Sequence, residues 1–205
     1  TARPDPARRL YLPAWTRTPL PAQASAGPAD WLVLADAAGI GGRLAGRLET
    51  LGHTVVVAEA GDGFARVGDR GYTVRPGSAE DLAALRDALH AAGTSPRRVV
   101  HLWGIGSGAA DDADAFGRAR ARGQATVAAL AEVFGDGADG GPLRLVVVTG
   151  GVRDVFGGEP AHPERARVVG ACLALPRERV ACRTVDVRTG AGGADRLLDQ
   201  LVAEV

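Results

Sequence analysis

A chain of 205 residues with 46% hydrophobic content is long enough to bury one substantial core. Its 24 basic and 24 acidic residues cancel, and no long same-sign run appears, so nucleic-acid or membrane-surface binding has no electrostatic basis. No apolar stretch reaches the roughly 20 residues of a membrane span, and Cys172 and Cys182, with no histidine pair beside them, read as small buried thiols rather than a zinc site or a disulfide.

The chain opens on Thr1-Ala2-Arg3-Pro4-Asp5 and contains no methionine, which reads as a piece of a longer polypeptide. Leu10-Tyr11-Leu12-Pro13-Ala14-Trp15 predicts a short aromatic strand, followed by a Pro/Ala-rich connector to Asp30. Residues 1–30 therefore form an N-terminal strand and connector, and residues 31–205 one domain. Trp31–Ala35 reads as a buried strand, and the periodic Leu44, Ala45, Leu48 and Leu51 as the helix after it. Val55–Ala58 is a second strand and Gly71–Arg75 a weak third. Ala79–Ala92 is a helix whose start is marked by Ser78 and Asp81. Arg98–Trp103 is the next strand, and Asp111–Phe134 a long helix with an acidic first turn. Arg118, Arg120 and Arg122 fall two apart, so that trio reads as a solvated surface. Leu143–Thr149 has the unbroken apolar run of a strand covered on both faces. Pro163–Leu175 is helical, Val180–Val187 a sixth strand, and Ala194–Glu204 a last helix.

Strands alternating with helices predict a parallel sheet with right-handed crossovers. The expected fold is α/β: a truncated or degenerate Rossmann-like doubly wound sheet of the short-chain dehydrogenase type, in strand order 3-2-1-4-5-6, with the N-terminal strand as an extra.

The first turn is where such a fold holds a dinucleotide. Gly39 and Gly41 fall where the last two glycines of the short-chain fingerprint belong, while Leu34-Ala35 replaces its leading Thr-Gly. Asp36 brings a carboxylate to the place of an anionic ligand, which is unfavourable unless it points away. Glu59, 20 residues after Gly39, has the separation of an acid that holds a ribose hydroxyl. Gly39, Gly41 and Glu59 are thus a degenerate remnant of a cofactor site, and close helix–strand packing accounts for such glycines equally well; no cofactor is expected on this chain.

The reactive groups are missing too. All 24 basic residues are arginine, and the only tyrosines, Tyr11 and Tyr72, come early. A reductase of this fold needs Tyr-x-x-x-Lys beyond its fifth strand; the corresponding stretch reads His162-Pro163-Glu164-Arg165-Ala166. Lysine-dependent phosphate loops and Schiff bases are excluded with it. Thr149 ends the fifth strand, where a reductase keeps its substrate hydroxyl. His53, His90, His101 and His162 have no nucleophile at a motif spacing, and each reads as a cap, a surface residue or a satisfied imidazole. Ser107 lacks the first glycine of a nucleophile elbow, since Ile105 stands there. Asp111, Asp112 and Asp114 suit a helix dipole better than a metal. Neither catalytic nor metal-ligating residues are expected.

The segment Gly150-Gly151-Val152-Arg153-Asp154-Val155-Phe156-Gly157-Gly158-Glu159-Pro160, then His162–Ala166, Gly170, Leu175-Pro176-Arg177-Glu178 and Cys182-Arg183-Thr184-Val185-Asp186, resembles the structural subdomain of ketoreductase domains in type I polyketide synthases. Leu10–Trp15 and Trp31–Gly41 resemble that family's opening strand and degenerate first turn. The resemblance implies a first, non-catalytic half of a multienzyme domain, cytoplasmic, binding neither cofactor nor metal itself. It also implies an NADPH-dependent catalytic half beyond this chain, which reduces β-ketoacyl groups on an acyl carrier protein. Partners implied are that catalytic subdomain and neighbouring synthase domains, with Leu10, Tyr11, Leu12 and Trp15 as docking candidates. Alternatives are an NAD(P)-binding oxidoreductase with an atypical active site, a nucleotide-sensing module, and a pseudo-ketoreductase scaffold beside another synthase domain.

Overall fold

The computed structural model describes residues 15–18, 27–105, 114–136, 141–155, 157–158, 162–188 and 194–204. The strands are β1 (Asp30–Ala35), β2 (Thr54–Ala60), β3 (Ala65–Val67), β4 (Gly71–Val74), β5 (Arg98–Gly104), β6 (Leu143–Gly150) and β7 (Val180–Val187). The helices are α1 (Ile40–Thr50), α2 (Ala79–Ala91), α3 (Ala115–Arg120), α4 (Thr126–Phe134), α5 (Arg167–Leu173) and α6 (Ala194–Glu204).

Continuous apolar runs with β-branched residues favour strands that are buried on both faces, and β1, β5 and β6 are such runs at the centre of the sheet. The sheet order is β3-β4-β2-β1-β5-β6-β7, parallel except for β3, which pairs antiparallel with β4. Omitting β3 leaves the doubly wound order expected from the strand and helix alternation. Sequence reading gave no sign of β3: Ala65-Arg66-Val67 is three exposed residues, too short for a period to show.

Alternation along the strands sends side chains to two layers. Leu32 and Leu34 join Leu82 and Leu85 of α2, Leu130 of α4 and Val168 of α5. Trp31 and Val33 join Leu44 and Leu48 of α1 and Leu198 and Leu201 of α6. Each leucine buried completely in these layers contributes about 2 kcal/mol.

Two helices depart from their expected form. The long helix continues from α3 into α4 through a π-helical turn at Ala121–Ala125. There the Thr126 hydroxyl donates to the Ala121 carbonyl (2.8 Å) and accepts the Gly77 amide (2.9 Å), pinning the turn before α2 to the widened helix. Gly77 has φ 81°, and a Cβ there would lie 2.9 Å from the Ala125 Cβ. The described part of this helix begins at α3, and Asp114 just before it pairs with Arg118, 3.7 Å away. Asp111 and Asp112 lie outside the described residues. The Pro163–Leu175 helix is a 3-10 turn at Pro163–Arg165 followed by α5, which stops at Leu173 ahead of Pro176. Ser78 caps α2 as expected, accepting the Asp81 amide at 3.1 Å.

Candidate functional site

In an open α/β sheet the binding crevice lies at the carboxyl ends of the strands where chain direction reverses, here between β1 and β5. A cavity of about 450 Å³ opens at that place, walled by Ala35, Asp36, Gly39, Glu59, Trp103 and Arg122 among others. The structure therefore brings Gly39 and Glu59 to one cavity. Glu59 pairs in register with Ala35 and is exposed at the rim. Gly41 is buried in α1 behind the turn.

The glycines have conformational and packing reasons of their own. Gly39 caps α1 with φ 84°, a region open to glycine and strained for other residues. At Gly41 a Cβ would fall 2.6 Å from the Ala35 Cα, so the residue is a close approach of helix to strand.

Asp36 occupies the place of a ligand. Its side chain turns back toward the start of α1: Oδ1 accepts the Gly41 amide of the first helical turn at 2.6 Å, and Oδ2 the Ala38 amide of the turn before it at 3.0 Å. These amides belong to the helix N-terminus that receives a phosphate in a nucleotide-binding turn. Asp36 is only 7% exposed, so its carboxylate fills the cradle and sets an acidic group against any incoming anion. The sequence reading allowed an aspartate here if it pointed away from the anion site; the structure turns it inward.

A second carboxylate does the same at the fifth core strand. Thr149, 1% exposed, donates its hydroxyl to Asp186 Oδ1 at 2.7 Å. Asp186 also accepts the Val152 amide (3.1 and 3.0 Å) and the Arg153 amide (2.8 Å). The hydroxyl that a reductase would offer to substrate is thus bound within the protein. At the place of the missing tyrosine and lysine, His162 Nδ1 meets Glu164 Oε1 at 3.2 Å. Arg165 lies 3.5 Å from the same oxygen and donates to the Gly150 carbonyl at 3.0 Å.

His101 is fully buried, and its Nε2–H donates to the Arg122 carbonyl at 2.7 Å in the π-helical turn. Burial drives its pKa down to about 4, the Arg122 carbonyl opposing only in part. It is a structural imidazole held neutral. His53 packs against Trp31 with ring centres 5.7 Å apart, and His90 is exposed on α2. Cys172 and Cys182 are free thiols. Ser107 lies outside the described residues.

Arg120 and Arg122 are exposed, as their spacing leads one to expect, and Arg118 is half-buried; Arg118 and Arg122 also edge a small recess of about 60 Å³ with Trp103, Glu164 and Arg165. Among the docking candidates only Trp15 is described: its indole N–H donates to the Asp154 carbonyl (3.0 Å) and its ring lies 5.4 Å from the Arg153 guanidinium. Leu10, Tyr11 and Leu12 lie outside the described residues.

Comparison with known proteins agrees with this geometry. The fold is that of the short-chain dehydrogenase/reductases. An oxidoreductase of that family from Brucella ovis, solved with a partially ordered NAD, matches at TM-score 0.60 and 16% identity, over 86% of this chain and 90% of its own. Two assembly-line proteins match with higher TM-scores. A multidomain adenylation, ketoreductase and pseudo Asub structure of a keto acid-selecting NRPS module gives TM-score 0.77 at 18% identity over 93% of this chain. An N-terminal ketoreductase from the macrolactin assembly line gives 0.69 at 13% identity over 88%. This chain spans 16% of the first and 37% of the second. A family model described as beta-ketoacyl synthase-like, N-terminal, matches residues 39–132. No curated protein matches the chain in sequence. No described helix is long and apolar enough to cross a membrane.

Proposed function

We propose that this chain is the non-catalytic structural subdomain of a polyketide-type ketoreductase, a scaffold that stabilises a separate NADPH-dependent half reducing β-ketoacyl groups on an acyl carrier protein. One observation carries the reading: the carboxylate of Asp36 takes the Ala38 and Gly41 amides, at the start of α1 where a cofactor phosphate would bind. The engagement of Thr149 by Asp186, and the replacement of Tyr-x-x-x-Lys by His162–Ala166, support it from the reaction side. The likeness to two assembly-line structures, each far longer than this chain, supports a place within a larger multienzyme. In that setting the protein is cytoplasmic and works with neighbouring synthase domains, and Leu10, Tyr11, Leu12 and Trp15 dock the catalytic half.

Two measurements test the reading. Titration calorimetry of the chain with NADH, which carries no phosphate monoester, is expected to give no saturable heat; saturable binding overturns the non-catalytic assignment. In the longer protein, removal of residues 1–15 is expected to weaken association with the reductase half. Unchanged association removes the docking role of that segment.

A further inference from the structure

The opposite end of the sheet, away from the cavity, carries a charge arrangement that the scaffold reading does not use. Parallel register places Val55, Trp31, Arg98, Arg144 and Ala181 in one row across β2, β1, β5, β6 and β7. Paired residues project from the same face, so the Arg98 and Arg144 side chains rise side by side on the face that α1 and α6 cover further along the strands. Arg98 is half-buried, its guanidinium 5.2 Å from the centre of the Trp31 ring, and Arg144 is exposed beside it.

Like charges directly opposite on neighbouring strands destabilise a sheet, and among the described residues no acid pairs with either arginine. On α1, Glu49 faces Arg70. On α6, Asp195, Asp199 and Glu204 pair with Arg43, Arg47 and Arg183. Asp30, next to Trp31, accepts the Ser95 amide, and Asp136 pairs with Arg179. Among the described residues neither Arg98 nor Arg144 has a hydrogen bond or an ion pair. Burial, and then the charge of Arg144, both push the Arg98 pKa down from its usual value.

We propose that Arg98 and Arg144 form a phosphate-binding site at the amino end of the sheet, with Trp31 as the platform that fixes one guanidinium. Two guanidinium forks match the oxygens of one phosphate, and two uncompensated positive charges match its dianion. The site is open, so it accepts a phosphoryl group at the end of a larger molecule as readily as the free ion.

The test is a titration of the whole chain with inorganic phosphate and, separately, methyl phosphate, at constant ionic strength against chloride, followed by calorimetry and by melting temperature. Both probes are expected to bind and raise the melting temperature. Arg144→Gln is expected to weaken both at least about tenfold, equivalent to roughly 1.4 kcal/mol, and Arg98→Lys to weaken them less. Without phosphate, Arg144→Gln should melt no lower than the parent chain, since it removes a repulsion. Equal binding by parent and Arg144→Gln overturns the proposal, and so does absence of binding to the parent. A lower melting point of Arg144→Gln without phosphate does the same, because it reveals a structural partner for Arg144. Failure of methyl phosphate alone overturns the open site. NADPH carries a phosphate monoester that this site would take, so the scaffold reading rests on titration with NADH, which has none and whose outcome these results leave untouched.

Discussion

Asp36 Oδ1 lies 2.6 Å from the amide nitrogen of Gly41, joining the end of β1 to the first turn of α1 across five residues. The same carboxylate that stabilises this helix start also closes it to phosphate, so one substitution separates the two effects. Asp36→Gly is expected to lower stability by about 1 kcal/mol, the ordinary cost of a lost helix cap, as read by urea denaturation. It is also expected to convert an undetectable NADH titration into weak saturable binding, because the Ala38 and Gly41 amides and the neighbouring cavity become available together. Asp36→Asn keeps an acceptor for only one of the two amides and sets an NH2 donor against the other, so it should regain little stability over Asp36→Gly while still resisting phosphate by bulk.

The two first-turn glycines answer to different constraints. Gly41→Ala drives a Cβ to within 2.6 Å of the Ala35 backbone, an overpacking worth about 1–3 kcal/mol. Gly39→Ala meets open space yet must hold φ 84°, which costs about 1–2 kcal/mol. Both losses should appear in chemical denaturation of the chain alone. A loss from neither variant would mean that these glycines are retained for a ligand rather than for the fold.

Legibility in the sequence followed the scale of the interaction. β6, β7 and α6 were readable nearly to the residue, because long apolar runs and 3.6-residue periods are local signals. β3 was not, since its three residues exist as a strand only through pairing with β4. The π-helical turn depends on Thr126, Gly77 and His101, which come together only in space. At the site, the absence of tyrosine and lysine from the second half could be counted directly, and Gly39 and Glu59 do share a cavity. Asp36 reads as an obstacle to an anion in the sequence itself, but its inward turn follows from the Ala38 and Gly41 amides, which a one-dimensional pattern does not weigh. Asp186 carried no local mark, because its partner Thr149 lies 37 residues away on the adjacent strand.

That Thr149–Asp186 contact is open to a double-mutant cycle. Asp186→Ala strands the Thr149 hydroxyl and two backbone amides and should cost about 2–3 kcal/mol, whereas Thr149→Val should cost about 1 kcal/mol. Because both residues share one hydrogen bond, the double variant should be less destabilised than the sum, with a coupling of about 1 kcal/mol. Strict additivity in urea melts would show that the hydroxyl contributes nothing to holding the loop at Val152 and Arg153.

Acid stability divides into two windows with separate owners. Folded His101 titrates near 4 because burial disfavours its cation, while an unfolded imidazole titrates near about 6.5. Between these values only the unfolded chain takes up the proton, so stability is full above the window and falls as pH drops through it. Asp81 acts lower down. Arg75 donates to it from Nε (2.9 Å) and Nη2 (2.5 Å), and this bonding, against an opposing burial cost, holds its carboxyl down at about 2. An unfolded aspartate titrates near about 4, so the stability from this pair is present above that value and is lost as pH falls toward 2. Melting temperature followed from pH 8 to 2 should therefore drop in two stages. His101→Gln, which keeps a donor for the Arg122 carbonyl, should flatten the upper stage only, and Asp81→Asn the lower stage only. A variant that left its own stage unchanged would assign that stage to another group.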